Sequence, residues 1–204
     1  MKTPIEFLQI NLIKMHLNLP EKSCAQLILF LKLLLKWNKS YNLTAITDFD
    51  KMLTYHLLDS LSIANYLNGE NIIDVGSGAG LPGIPLSIYF PEKQFTLIDS
   101  VGKKTRFLNQ VVRELQLKNV TIINARAETY QPNICFDIMT ARAVGSLDYL
   151  IDLAKHLLQK QGKLLAMKSE NLTENVPENA KIISLQVPGM TALRSLVIIE
   201  TKRS

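Results

Sequence analysis

The sequence predicts an α/β protein, a mostly parallel sheet of seven strands with an antiparallel terminal strand, preceded by a helical extension. Three observations carry this. Residues 1–68 place their apolar side chains at helical spacing and contain no strand-like run. From Asn71 onward, short apolar runs alternate with helical stretches, the pattern of β-α-β units. The last two apolar runs follow each other with no helix long enough for a crossover, so at least one of them runs antiparallel.

In chain order, Pro4 to Leu17 has Ile5, Leu8, Leu12 and Met15 three or four residues apart, which predicts a first helix. Pro20-Glu21 opens a second, with Ser23 as candidate cap, running through Ala25 to about Ser40. Its Lys32, Lys36 and Lys39 fall on one side, a basic face whose simplest role is solvation. Trp37 and Tyr41 stand four apart, where core packing is favoured over stacking on an exposed base. Asp48 or Asp50 caps a third helix carrying Met52, Tyr55, Leu58, Leu61 and Leu67, and Asn68-Gly69 ends it. We expect strands at Ile72–Val75, Phe95–Asp99, Thr121–Ile123, Asp137–Thr140, Lys163–Met167, Lys181–Leu185 and Ser195–Glu200. Helices are expected at Ile84–Phe90, Lys103–Leu115 and Leu147–Leu158, with a polar surface loop over Glu170–Asn179. The expected division is therefore a helical extension, 1–68, and an α/β domain, 69–204.

Composition narrows the function classes. The 204 residues are 47% hydrophobic with 9 Gly and 8 Pro, which excludes collagen-like and low-complexity chains. Cys24 and Cys135 stand alone with no His at ligand spacing, so neither a disulfide framework nor a zinc site is expected, and a reduced, cytoplasmic protein is. Leu27–Leu35, the longest apolar run, is interrupted by Lys32 and falls short of the roughly 20 residues of a membrane span. No signal peptide is expected after Met1. The net charge of +5 is spread along the chain and leaves both an acidic partner and a generic soluble surface open.

The stretch from Asp74 through Val75, Gly76, Ser77, Gly78, Ala79, Gly80, Leu81 and Pro82 to Gly83 is a buried strand that breaks into a glycine turn and then a helix. Gly76, Gly78 and Gly80 let backbone approach a ligand at the carboxyl edge of a sheet. Gly78, Gly80 and Gly83 also fit a dinucleotide fingerprint, so the glycines do not choose the ligand. Asp74, two residues before the first glycine, is expected to orient the turn and reach toward a cationic ligand. That favours the ammonium of S-adenosylmethionine over a pyrophosphate. Asp99, ending the second strand, is placed to take ribose hydroxyls of either ligand. Glu128, past the third strand, can accept from an adenine amino group or simply cap a turn. Arg142, ending the fourth, can hold a cofactor carboxylate, a substrate phosphate or Glu128. His56 and Asp59, three apart, are expected as a structural pair tying the extension to the sheet.

Together these residues resemble the glucose-inhibited division protein B family, bacterial small-subunit ribosomal RNA guanine-N7 methyltransferases. The resemblance runs through Trp37–Thr44, His56–Ser60, Asp74–Pro85, Leu97–Leu108, Arg142-Ala143 and Leu165–Lys168, and Gly80-Leu81-Pro82-Gly83-Ile84-Pro85 is its most specific part. It implies a class I Rossmann-like fold and a methyl group transferred from S-adenosylmethionine to a guanine N7 in the 530 loop of 16S ribosomal RNA. It also implies cofactor contacts at Gly76, Leu81, Asp99, Ala127, Glu128 and Arg142. Ser169 departs from the glycine common after the lysine in relatives.

Guanine N7 carries a lone pair and no proton, so the reaction needs no general base, and no catalytic acid or base and no metal are expected. Lys168 and Arg194 are candidates for RNA phosphates, as are Lys103, Lys104 and Arg106 at the start of the helix after the second strand. The expected partner is 16S ribosomal RNA or the 30S subunit, met by a monomer, with neither membrane nor DNA involved. Two other classes, a nicotinamide-dependent oxidoreductase and a non-catalytic RNA-binding module, share the glycines or the charge but explain less. The first lacks a second domain with a catalytic His or Tyr-Lys pair, and the second leaves the glycine turn and its two acids without a purpose.

Overall fold

The structure is a computed structural model that describes residues 3–169 and 175–201. Helix α1, Pro4–Lys14, begins with a reciprocal cap in which Thr3 Oγ1 accepts from the Glu6 N–H while the Thr3 N–H donates to Glu6 Oε2. Helix α2, Glu21–Tyr41, is 21 residues long and has Pro20 at its N-cap, three residues ahead of the expected Ser23 cap. It ends on Asn42 in the left-handed region, and the Asn38 side chain ties down the next turn through Leu43 N, Thr44 N and Thr44 O. Trp37 packs 5.0 Å from Tyr41 and 5.8 Å from Phe107, so it is a core residue joining α2 to the sheet domain.

Asp48, rather than Asp50, caps the third helical segment through the Lys51 N–H. That segment is α3, Phe49–Met52, a π-helical stretch, Leu53–Leu58, and α4, Asp59–Leu61. The π stretch places one extra residue in the turn, and such turns gather at functional sites. The helix ends at Leu61, and a short 3₁₀ turn, Ala64–Tyr66, replaces the expected continuation to Leu67.

Seven strands follow: β1 Asn71–Val75, β2 Gln94–Ile98, β3 Val120–Ile123, β4 Phe136–Arg142, β5 Leu158–Ser169, β6 Lys181–Leu185 and β7 Arg194–Glu200. They form one sheet of order β3-β2-β1-β4-β5-β7-β6. The first five pair in parallel, and β7 is antiparallel to both β5 and β6, which makes the C-terminal strand the reversed one. Helices α5, Gly83–Tyr89, α6, Gly102–Glu114, and α7, Leu147–Leu157, make the crossovers. Strand β5 starts at Leu158, earlier than the expected Lys163, and α7 stops at Leu157 to allow it. Of the expected 170–179 loop, residues 170–174 lie outside the described residues, and 175–179 have no regular structure.

Strand alternation divides the core. Ile72, Phe95, Leu97 and Leu165 face the side covered by α5, α6 and the N-terminal helices, while Ile73, Val75, Ile98 and Met139 face α7. Leu8, Leu31, Leu58 and Phe107 belong to the same continuous cluster, so the extension closes one face of the sheet rather than standing apart from it. No helix among the described residues is long and apolar enough to cross a membrane. Strand order reverses at β1, with β2 on one side and β4 on the other, and a crevice opens there at the carboxyl ends.

Candidate active site

The glycine turn is pinned from two sides. The N–H groups of Gly76 and Ser77 donate to the Ile98 carbonyl at the end of β2, and the Ser77 hydroxyl donates to the Asp74 carbonyl at 2.7 Å. All three glycines hold positive φ, that of Gly78 being +58°, and two of them are also closely packed by the protein itself. A Cβ on Gly76 would come within 2.5 Å of Val144, and one on Gly80 within 2.7 Å of Ile84 and 2.8 Å of Leu108, with φ of +64° and +86°. At Gly78 the direction of the missing Cβ is open, the nearest atom being the Gly76 carbonyl oxygen at 3.7 Å.

Asp74 lies beneath the turn, fully buried. Its Oδ2 accepts from the Gly83 N–H at 3.2 Å and its Oδ1 from the Thr140 hydroxyl at 3.0 Å. Burial pushes its pKa up to about 7, against the lowering effect of Thr140, Gly83, Ser77 and Arg142. This corrects the expectation that Asp74 reaches the ligand: buried beneath the turn, it orients the turn and the start of α5, and with a pKa near 7 it is not a fixed negative charge for a cationic ligand.

Asp99 faces the crevice. One oxygen accepts from the Val101 N–H at 2.9 Å; the other accepts from the Gly78 N–H at 2.9 Å and is 3.4 Å from Lys104 Nζ. A single carboxylate thus joins the glycine turn, the start of α6 and a lysine. Around it is a cleft of about 350 Å³ lined by Gly76, Ile98, Asp99, Ala127, Glu128 and Tyr149, among others. Glu128 is exposed and accepts from the Tyr149 hydroxyl at 3.0 Å. Its own backbone N–H, then that hydroxyl, hold its pKa below the usual carboxylate range, while burial and Glu128 raise that of Tyr149.

A second cleft, of about 420 Å³, adjoins the first. Tyr55, His56 and Asp59 come to it from the extension, Arg142 and Ala143 from the end of β4, Met167, Lys168 and Ser169 from β5, and Arg194 from β7. Arg142 pairs with Asp59 at 2.9 Å and also donates to the Tyr55 carbonyl at 3.2 Å, so of the partners open to it from sequence it takes neither Glu128 nor a place in the first cleft. Arg194 pairs with the same Asp59 at 3.2 Å. His56 bonds through Nε2 to the Thr44 hydroxyl at 2.9 Å, not to Asp59. Burial, then Arg142, lower the His56 pKa to about 4, against the Tyr55 carbonyl and Asp59, so the ring is neutral at pH 7.

Of the expected cofactor residues, the structure gathers Gly76, Asp99, Ala127 and Glu128 in the first cleft, keeps Gly78, Gly80 and Leu81 in the turn with Asp74 on β1 beneath it, and puts Arg142 in the second cleft. Of the expected RNA contacts, Lys104 is turned toward Asp99, Lys168 donates to the Gly145 carbonyl and lines the second cleft with Arg194, and Lys103 and Arg106 are exposed. Sequence reasoning missed Tyr149 and Val144 as lining of the first cleft. Ala143, expected beside the crevice with Arg142, lines both clefts and holds φ of +56°, unusual for a residue with a Cβ and not foreseen from sequence.

Comparison with known proteins agrees with this architecture. Residues 23–197 match the model of the GidB family, described as rRNA small subunit methyltransferase G. The ribosomal RNA small subunit methyltransferase G of Coxiella burnetii (strain Dugway 5J108-111) is 46% identical over 201 residues, 97% of this chain and 98% of that protein. The protein of the same name from Hydrogenovibrio crunogenus is 48% identical over 186 residues, 88% and 86% of the two chains. Among solved structures, the putative methyltransferase yhhF from Escherichia coli aligns with a TM-score of 0.56 at 19% identity, covering 71% of this chain and 87% of that one. M. jannaschii TYW2 in complex with AdoMet aligns at 0.54 and 14% identity, covering 72% and 76%. These two likenesses concern the fold, a Rossmann-like methyltransferase sheet. The sequence relatives, matched along nearly their whole length, go further: this chain belongs to the GidB family of methyltransferases, rRNA small subunit methyltransferase G.

Proposed function

We propose that the protein binds S-adenosylmethionine in the first cleft and transfers its methyl group to N7 of a guanine, held over the second cleft, in the 530 loop of 16S ribosomal RNA. The observation that carries this reading is that the two clefts share the wall at Ala143, so a donor in one and an acceptor in the other meet across a single residue. The first cleft suits the cofactor in volume, in the open side of Gly78 and in the Asp99 carboxylate, which is set to receive ribose hydroxyls. Ala127 and Ile98 offer apolar surface to a purine, and Glu128 an acceptor for its amino group. When bound, S-adenosylmethionine supplies an electrophilic methyl group on a sulfonium.

The chain's own part is to position the acceptor, with no general base offered to it. Both oxygens of Asp59 are engaged by arginines, and His56, with its pKa near 4, is a poor base at pH 7. A guanine amino group or N1 must lose a proton on methylation, whereas N7 need not, and this favours N7. A neutral His56 also spares the newly cationic purine a repulsive neighbour. Lys103, Arg106, Lys168 and Arg194 take RNA phosphates, while the charge of Lys104 is directed to Asp99. The protein acts as a monomer in the cytoplasm, with 16S RNA or the 30S subunit as partner. In the two-part division of the chain, the 1–68 extension supplies one wall of the acceptor cleft to the 69–204 methyltransferase domain.

The test is calorimetric titration with S-adenosylmethionine and with NAD, followed by tritiated methyl transfer onto unmethylated 30S particles and deproteinised 16S RNA. Binding of S-adenosylmethionine alone and label in 16S RNA are expected. Binding of NAD, or cofactor binding without label in either RNA, overturns the reading.

Ala143 gives a second expected outcome. Ala143→Val puts a β-branched residue at positive φ and fills the wall between the clefts, so S-adenosylmethionine affinity should change little while methyl transfer falls by about 10²-fold. Ala143→Gly, which relieves the backbone, should keep near-normal transfer. Equal losses of binding and transfer in the valine variant would contradict this placement.

A further inference from the structure

Asp59 is the carboxylate among the described residues that line the second cleft, its side chain 2% exposed, and it comes from the helical extension. Two arginines 83 and 135 residues further along the chain converge on it, Arg142 through Nη1 onto Oδ2 and Arg194 through Nε onto Oδ1. One guanidinium would neutralise the carboxylate. A second adds the cost of desolvating another charge, and its side chain and that of Arg142 remain 26% and 19% exposed at the cleft. The trio carries a net positive charge, with Lys168 beside it. A pair of half-buried guanidinium groups, each using one edge on a shared carboxylate, has its remaining donors for an anion that both can reach.

We infer that Asp59 is a positioning residue that sets Arg142 and Arg194 as two prongs for a single phosphate, the phosphodiester next to the methylated nucleotide. The inference rests on the second cleft being the acceptor cleft. It gives the N-terminal extension a part in the reaction: Asp59 and the Tyr55 carbonyl, from the π-helical stretch and the turn after it, fix the Arg142 guanidinium from behind. The two arginines stand on β4 and β7, with β5 between them, and Asp59 is the group that both touch.

The experiment compares wild type with Asp59→Asn, Arg194→Lys and the double variant, reading kcat/KM for 30S particles, S-adenosylmethionine affinity and thermal midpoint. Asparagine keeps the shape of Asp59 and lysine keeps the charge of Arg194, so neither single change removes the site's positive charge. Each single variant is expected to lose about tenfold or more in kcat/KM while cofactor affinity stays within twofold. The double variant should lose no more than the worse single one, because the two residues act as one unit. Asp59→Asn with kcat/KM within twofold of wild type overturns the assignment. Additive losses, or a loss matched by weaker cofactor binding or by unfolding at the assay temperature, overturn it too and leave Asp59 a brace only. Wild type that transfers no methyl group to RNA overturns the acceptor reading, and this assignment with it; an active wild type with any of these contrary variant results overturns the assignment alone.

Discussion

Asp99→Ala should weaken S-adenosylmethionine binding by about 100-fold. The carboxylate does two jobs at once. It accepts from the Gly78 and Val101 N–H groups and faces Lys104, holding the glycine turn against the start of α6, and it is the acid placed for the ribose. Two charge-assisted hydrogen bonds to ribose hydroxyls at about 1.5 kcal/mol each amount to about 3 kcal/mol, which is the stated factor. Asp99→Asn keeps the shape and one acceptor, so its loss should be intermediate. Calorimetric titration of both variants checks the order, and wild-type affinity in Asp99→Ala would remove Asp99 from the cofactor site.

Asp74→Ala should have its effect on stability. Alanine there leaves the Gly83 N–H and the Thr140 hydroxyl buried without their acceptor, which costs about 3 kcal/mol. The pH dependence carries a separate signature. With a folded-state pKa near 7 against an ordinary 3.8, the folded protein holds the Asp74 proton more tightly than the unfolded chain does. The group's contribution is therefore most favourable below pH 3.8, declines as the pH rises from 3.8 to about 7, and is level above that. Asp74→Asn has no proton to lose, so the stability of wild type minus that of this variant should fall across the same window. Urea midpoints between pH 4 and 8 measure it. A difference that stays level from pH 4 to 8 would mean that Asp74 is ionised in the folded protein throughout.

These two acids show how far the sequence was legible. Both were visible because each ends a buried apolar strand, β1 or β2, in a chain whose alternation of strand and helix marks the sheet and its carboxyl edge. Their division of labour was not. Asp74 is level with Leu97, two residues deeper in the sheet than Asp99, and this depth, which only the strand register reveals, leaves one acid on Thr140 and Gly83 and puts the other at the cleft. Arg142 was legible as a crevice residue and not in its partner, since Asp59 lies 83 residues earlier and carries no local sign of the pairing. The start of β5 was hidden because Gln159, Lys160 and Gln161 are polar and exposed, and its apolar stretch begins only at Leu164. The conformation of Ala143 was missed because positive φ at an alanine leaves no trace in composition or spacing.

The most direct test of the account is the position of the transferred methyl group. After reaction with S-adenosylmethionine, 16S RNA is recovered from the 30S particles, reduced with borohydride and treated with aniline, which cuts the chain at N7-methylguanosine. The account predicts one new cut, in the 530 loop, absent from particles incubated without the protein. Methyl label incorporated with no new cut would place the group on another atom and contradict the N7 mechanism drawn from the two adjoining clefts.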